Sequence, residues 1–160
     1  PRQAAAHIGR GDMRPDAART VHEIEIDRGS DEIAQRIEIQ RIEKVFTTDK
    51  RRHRIFTGRE IRDSQKNRGY SSLAARFAAK EAFAKALGTG IRGITFKEIE
   101  VLKTDLGKPY FNEEKLIPHL ERVFNKTNLK LHLSMSHDEG RAYAMVIIEE
   151  ADVRDENCRC

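Results

Sequence analysis

The stretch from Ser71 to Gly90, SSLAARFAAKEAFAKALGTG, does most to limit what this chain can fold into. It has no Pro and no Gly before Gly88, and most of its residues are good helix formers. Ser71 and Ser72 are suitable N-caps, and Gly88 stands where a C′ glycine ends a helix. At about 100° per residue, Leu73, Phe77 and Ala84 share one stripe, with Leu87 at its edge. That stripe is expected to be buried. Ala74, Ala78, Glu81 and Lys85 form the adjacent stripe, where two small residues leave room beside a carboxylate and an ammonium one turn apart. Such a pair either holds a metal ion and a phosphate together or is an ordinary i,i+4 surface pair worth a few tenths of a kcal/mol. Helix geometry alone does not choose between them.

At 160 residues the chain suits one domain with a core of useful size. Hydrophobic residues make up 38% and charged residues 35%, as in a soluble protein with a heavily solvated surface. No apolar run approaches the roughly 18 residues needed to span a membrane, and no apolar h-region marks a secretory signal. Cys158 and Cys160 sit in a polar tail, which fits a reducing cytoplasm better than a disulfide framework or a zinc site. The net charge of +4 favours an acidic partner. Nucleic acid is the generic candidate, but aromatic residues are only 6% of the chain and do not interleave with its basic run, which counts against base stacking.

Residues 1–20 lack hydrophobic periodicity and read as a disordered extension or as residues foreign to the working protein. Val21 to Asp27 alternates as a strand, and Arg28 to Asp31 reads as a turn. Ile33, Ile37, Ile39 and Ile42 continue the apolar pattern towards Phe46. Phe46 to Tyr70 is basic and mostly solvated. After the central helix, Gly88, Gly90 and Gly93 punctuate a turn that either caps the helix or lets backbone N–H groups approach an anion. Ile94–Phe96 and Glu98–Leu102 read as strand, Asp105 to Pro109 as a hairpin turn, and Tyr110-Phe111 as the start of the return strand. Lys115 to Asn125 is an amphipathic helix. Leu129 to Met135 and Tyr143 to Ile148 are strands flanking a turn at Ser136–Gly140. Residues 21–150 thus form the domain, and 151–160 a polar tail.

The wording of several segments resembles one family. RFAAKEAFAKALGTGI in the central helix, LHLSMSHDEGRAYAMVIIEE from Leu131 to Glu150, RIEKVF at Arg41, FTGREI at Phe56 and LGKPYF at Leu106 are similar to the holo-[acyl-carrier-protein] synthases, and they fall in that family's order. These are the short, trimer-forming 4′-phosphopantetheinyl transferases. The resemblance covers roughly Ile37 to Glu150. It implies an α+β fold with antiparallel strands packed around the long central helix. It also implies a cytoplasmic, Mg²⁺-dependent transfer of the phosphopantetheine arm of coenzyme A to a serine of an apo acyl carrier protein in fatty acid biosynthesis, releasing 3′,5′-ADP. Sites between the subunits of a homotrimer are implied as well.

By that resemblance Glu81 and Lys85 are catalytic. Glu81 holds the metal with an N-terminal aspartate, and Lys85 neutralises a phosphate. Arg76, Lys80, Lys85, Gly88, Gly90 and His137 hold the coenzyme. Arg41, Arg51, Arg59 and Arg62 face an acidic carrier helix, where rim charges set on-rate and salt sensitivity. The sequence departs from the family's pattern at the aspartate. An ungapped alignment puts Gln35 there, Asp31 has the right local wording four residues early, and Asp27 ends the preceding strand. Asp31 is the expected ligand, with a turn residue as its plain alternative. Two other readings follow. A non-catalytic paralogue would bind coenzyme A with an impaired metal site. A basic nucleic-acid-binding module would show steep salt dependence and no response to coenzyme A.

Overall fold

A computed structural model describes residues 31–66, 69–138 and 140–151. The extension, the strand expected over Val21–Asp27, the candidate ligand Asp27 and both cysteines lie outside the described residues. The chain runs β1 (Asp31–Glu38), α1 (Ile39–Val45), α2 (Asp49–Ile55), α3 (Gly58–Lys66), α4 (Tyr70–Ala86), β2 (Val101–Lys103), β3 (Pro109–Phe111), α5 (Glu113–Phe124), β4 (Leu129–Asp138) and β5 (Arg141–Glu150). Among the described residues the strands form an antiparallel sheet of order β1-β5-β4 and a two-stranded β2-β3 hairpin. This is the expected α+β arrangement.

The 17-residue α4 is the centre of the molecule. It lies against β5 and β1 on one side and meets α1 and α3 on others. The expected stripe is buried at Leu73, Ala84 and Leu87, but burial extends almost all round the helix, to Ala75, Ala79, Ala82 and Phe83. Alanine makes this possible, because a side chain of one carbon lets the sheet approach closely. The facing strand residues are themselves small or β-branched: Ala142, Ala144, Val146 and Ile148 are all buried. Phe83 fills the far side, its ring centroid 5.2 Å from that of Phe111 on β3.

Several boundaries differ from expectation. The N-cap of α4 is Gly69, at φ 52°, ψ −115°, not a serine. That positive φ suits glycine, and Ser72 is drawn inward to a buried arginine instead. The other end matches: the Gly88 N–H bonds Lys85 O at 2.9 Å with φ 71°. Asp31 is not in a turn but opens β1 opposite Ile148. Ile94 to Ile99 is not strand. Glu98 accepts from the N–H and hydroxyl of Thr95, at 2.7 and 2.8 Å, and the Ile99 N–H returns to Thr95 O. That side-chain-locked turn uses up the backbone groups that a ladder would need. His137 lies within β4, opposite Ala142, rather than in the turn.

Candidate active site

The predicted catalytic pair borders one cleft. Glu81 and Lys85 line a cavity of about 330 Å³ with Gln35 of β1, Arg41 of α1, Phe46 and Phe77. Gln35 Nε2 donates to Glu81 Oε2 at 3.0 Å. Lys85 acts on the same carboxylate as a neighbouring positive charge. Partial burial pushes the Glu81 carboxyl above the usual carboxylate range, and Lys85, Arg41 and the Gln35 hydrogen bond oppose that rise without cancelling it. A carboxylate with a raised pKa, beside two cations in a half-apolar cleft, is suited to take a proton next to a phosphate.

The sequence pointed to Asp31 as the partner of Glu81, but β1 delivers Gln35. Four residues separate the two. At ~3.3 Å per residue, Asp31 begins about 13 Å further along the strand. Among the described residues no group of three His, Cys, Asp or Glu is placed to hold a metal ion.

A second cleft, of about 410 Å³, lies beyond the same helix, lined by Ser72, Arg76, Lys103, Pro109, Ser136 and His137 among others. Arg76 and Glu81 are five residues apart, or roughly 140° round the helix. The two clefts accordingly share no lining residue. Arg76 and His137, both expected to hold coenzyme, meet here. His137 and Lys103 stand at the open side, while Arg76 is 1% exposed. Its guanidinium donates to Val101 O at 3.3 Å, to Ser72 O at 3.4 Å, and to Ser72 Oγ and Asp63. Arg76 is therefore first a clamp joining α3, α4 and β2, whose positive charge underlies the cleft.

Lys80 is a correction. It is 0% exposed and borders neither cleft. Its ammonium donates to Phe96 O at 2.8 Å, to Ile99 O at 2.7 Å, and to Glu60 at 2.9 Å from Oε1. Burial pulls it below the usual lysine range, and Glu60 opposes that pull. All three donors are satisfied inside the fold, so none is left for a ligand. Gly88 and Gly90 border neither cleft; both adopt positive φ, and a Cβ at either would meet nothing within 4 Å. Their positive φ by itself accounts for glycine at both positions.

The four expected docking arginines, Arg41, Arg51, Arg59 and Arg62, lie on three successive helices, and their side chains reach solvent. Arg41 borders the Glu81 cleft. Arg51 donates to Val45 O at 3.3 Å, and Arg59 lies 3.8 Å from Glu100 while 60% exposed.

Reading the sequence missed Glu60 and Glu100, both buried. Glu60 accepts from Thr57 N at 2.8 Å while its own N–H reaches Thr57 Oγ1, a capping box that starts α3. The T-x-x-E spacing of Thr57 to Glu60 carried that signal. Glu100 is drawn in despite the cost of burial, because Thr57, Asn112, Arg59 and Lys80 together hold its carboxyl below the usual range. Its partners are remote in sequence, so no local pattern announces it.

Known proteins share this sequence pattern and this fold. Residues 24–148 match the family model of the 4′-phosphopantetheinyl transferase superfamily. A holo-[acyl-carrier-protein] synthase of Clostridium perfringens is 44% identical over 71% of this chain and 88% of its own length. One from Geobacter sp. strain M21 is 47% identical over 71% and 92%. The crystal structure of a holo-(acyl-carrier-protein) synthase from Bacillus anthracis, in complex with CoA (3′,5′-ADP), superposes with a TM-score of 0.59 at 36% identity, covering 77% of this chain and 96% of that one. With this fold, this family match and these relatives, the chain belongs to the holo-[acyl-carrier-protein] synthase family of 4′-phosphopantetheinyl transferases.

Proposed function

We propose that the chain transfers the 4′-phosphopantetheine arm of coenzyme A to a serine of an apo acyl carrier protein. The observation that carries this reading is the Glu81 cleft, with its carboxylate of raised pKa beside Lys85 and Arg41, in a chain 44% identical to a holo-[acyl-carrier-protein] synthase. The serine oxygen attacks the phosphorus that bears the pantetheine arm. The bond from that phosphorus to the bridging oxygen breaks, and 3′,5′-ADP leaves with the electron pair. The serine proton passes to Glu81, directly or through a water. Lys85 offsets charge on the phosphate oxygens, as cationic groups do in phosphoryl transfer.

The donor set fits a magnesium ion of modest protein coordination. Glu81 supplies a carboxylate, and the buried Gln35 Oε1 has no hydrogen-bond partner. Mg²⁺ commonly takes one or two carboxylates and fills its shell with phosphate oxygens and water. When bound it neutralises charge on the diphosphate. The second cleft, with His137, Lys103 and the charge of Arg76, takes the nucleotide half. The arginines of α1, α2 and α3 dock the acidic carrier at the mouth of the Glu81 cleft. The proposed setting is the cytoplasm, in fatty acid biosynthesis.

Because the two clefts lie on different sides of one helix, one coenzyme is best served by the Glu81 cleft of one copy and the His137 cleft of another, as in a homotrimer. Mixing a Glu81→Ala chain with a His137→Ala chain should then restore activity that neither has alone, after the subunits exchange. A mixture no better than the mean of its parts would leave both halves of the site on one chain. For the reaction itself, chromatography should find 3′,5′-ADP released from coenzyme A only when an apo carrier is present. Coenzyme A bound without release would favour the non-catalytic paralogue.

A further inference from the structure

The β2–β3 hairpin is short, with three residues in each strand. A two-stranded ribbon of that size does not hold its place unaided. Its ladder uses the even positions of β2: the Asn112 N–H bonds Glu100 O, and the Thr104 N–H bonds Lys108 O. The backbone groups of Val101 and Lys103 therefore point to the opposite edge, which no strand covers among the described residues. At Val101, side chains take the place of that strand. Its N–H donates to Glu60 Oε1 at 3.0 Å, and its carbonyl accepts from Arg76 Nε at 3.3 Å. Glu60 is itself held at 0% exposure: Oε2 accepts from the Thr57 N–H at 2.8 Å, and the Lys80 ammonium lies 2.9 Å from Oε1. One carboxylate thus ties the start of α3 and the middle of α4 to the free edge of β2.

That edge leads into the second cleft. Lys103 follows Val101 by two residues, or ~7 Å, on the same face of the strand, and it lines the cleft together with Arg76. Arg76 is bonded to Val101 O, so the positions of both cations are referred to one residue of β2. Without Glu60 the Val101 N–H would be a donor with no partner at a residue of 0% exposure. The strand would shift to satisfy it, and Lys103 would move with the strand. Glu60 borders neither cleft, so its influence on a ligand passes through β2. We propose that Glu60 is a positioning residue for the coenzyme: by taking the Val101 N–H it seats the free edge of β2 and sets the spacing of Lys103 from Arg76. This role is separate from capping α3, which uses the other carboxylate oxygen. The inference rests on the transferase reading above, in which this cleft takes the nucleotide half.

Two variants of the full chain test it. An amide-to-ester replacement at Val101 deletes that N–H alone and keeps the Glu60–Lys80 pair. Glu60→Met with Lys80→Met removes the acceptor and leaves no buried charge. In each, isothermal titration should find 3′,5′-ADP bound about tenfold more weakly than by the wild type. The KM for coenzyme A should rise by a similar factor, while the KM for the apo carrier stays the same. Leu116→Ala is the control, a fully buried site on α5 that borders neither cleft. It should lose stability in denaturant titration and keep its affinity for 3′,5′-ADP. Wild-type affinity for 3′,5′-ADP in either variant, with circular dichroism showing it folded, would overturn the inference. So would a Leu116→Ala chain that lost as much affinity as the ester. If the wild type still bound coenzyme A and transferred the arm, only the role of Glu60 would fall. A wild-type chain that bound neither coenzyme A nor 3′,5′-ADP would bring down the transferase reading and this inference together.

Discussion

Glu81→Ala is expected to lower transfer by about a thousandfold, within the range typical of a lost general base, while the protein stays folded. Glu81 borders a cleft rather than the closed core, and its burial is a net cost to its charged form. Removing it leaves no unpaired charge in the interior, only the exchangeable bond from Gln35. The thermal midpoint should therefore move little. Steady-state release of 3′,5′-ADP, together with circular dichroism of the same sample, separates loss of chemistry from loss of fold. Near-normal turnover in the folded variant would remove Glu81 from the mechanism.

The neighbouring residue should behave in the opposite way. Lys80→Met is expected to destabilise the fold by about 3–5 kcal/mol, the usual cost of breaking a buried ion pair from one side. That is a large part of the ~5–15 kcal/mol that holds a domain together. Glu60 would be left charged at 0% exposure. Two backbone carbonyls, of Phe96 and Ile99, would lose their donor, and with it the tie between α4 and the loop that precedes β2. Denaturant titration measures the effect. Replacing both partners together, Lys80→Met with Glu60→Met, should recover much of the loss, because no uncompensated charge then remains. A Lys80→Met protein as stable as the wild type would mean that the pair is not closed in solution.

The contrast between residues 80 and 81 shows what a sequence can and cannot display. Alternation and helical spacing made α4, α5 and the β4–β5 pair legible, because each buries a face whose period is local. The T-x-x-E start of α3 at Thr57 and Glu60 is a local signal as well, but it does not reveal that Glu60 is buried. Lys80 and Arg76 were expected at the coenzyme through the family resemblance alone, which says nothing of their burial. What draws them inward is Glu60, Asp63, Val101 O and Ile99 O, at separations of 13 to 25 residues. The Ile94–Leu102 segment has the composition of a strand, yet a single Thr95–Glu98 side-chain turn folds most of it otherwise. Gln35 was visible as a departure from the family's wording. Only the register of β1 against β5 shows that this amide, and not Asp31, is carried to Glu81.

Intact-mass spectrometry tests the central claim most directly. An apo acyl carrier protein is incubated with the chain, coenzyme A and Mg²⁺, and a parallel sample receives EDTA. The carrier should gain the mass of one phosphopantetheine arm, and the EDTA sample should not. An unchanged carrier in both samples, with the chain folded and coenzyme A present, would contradict the assignment.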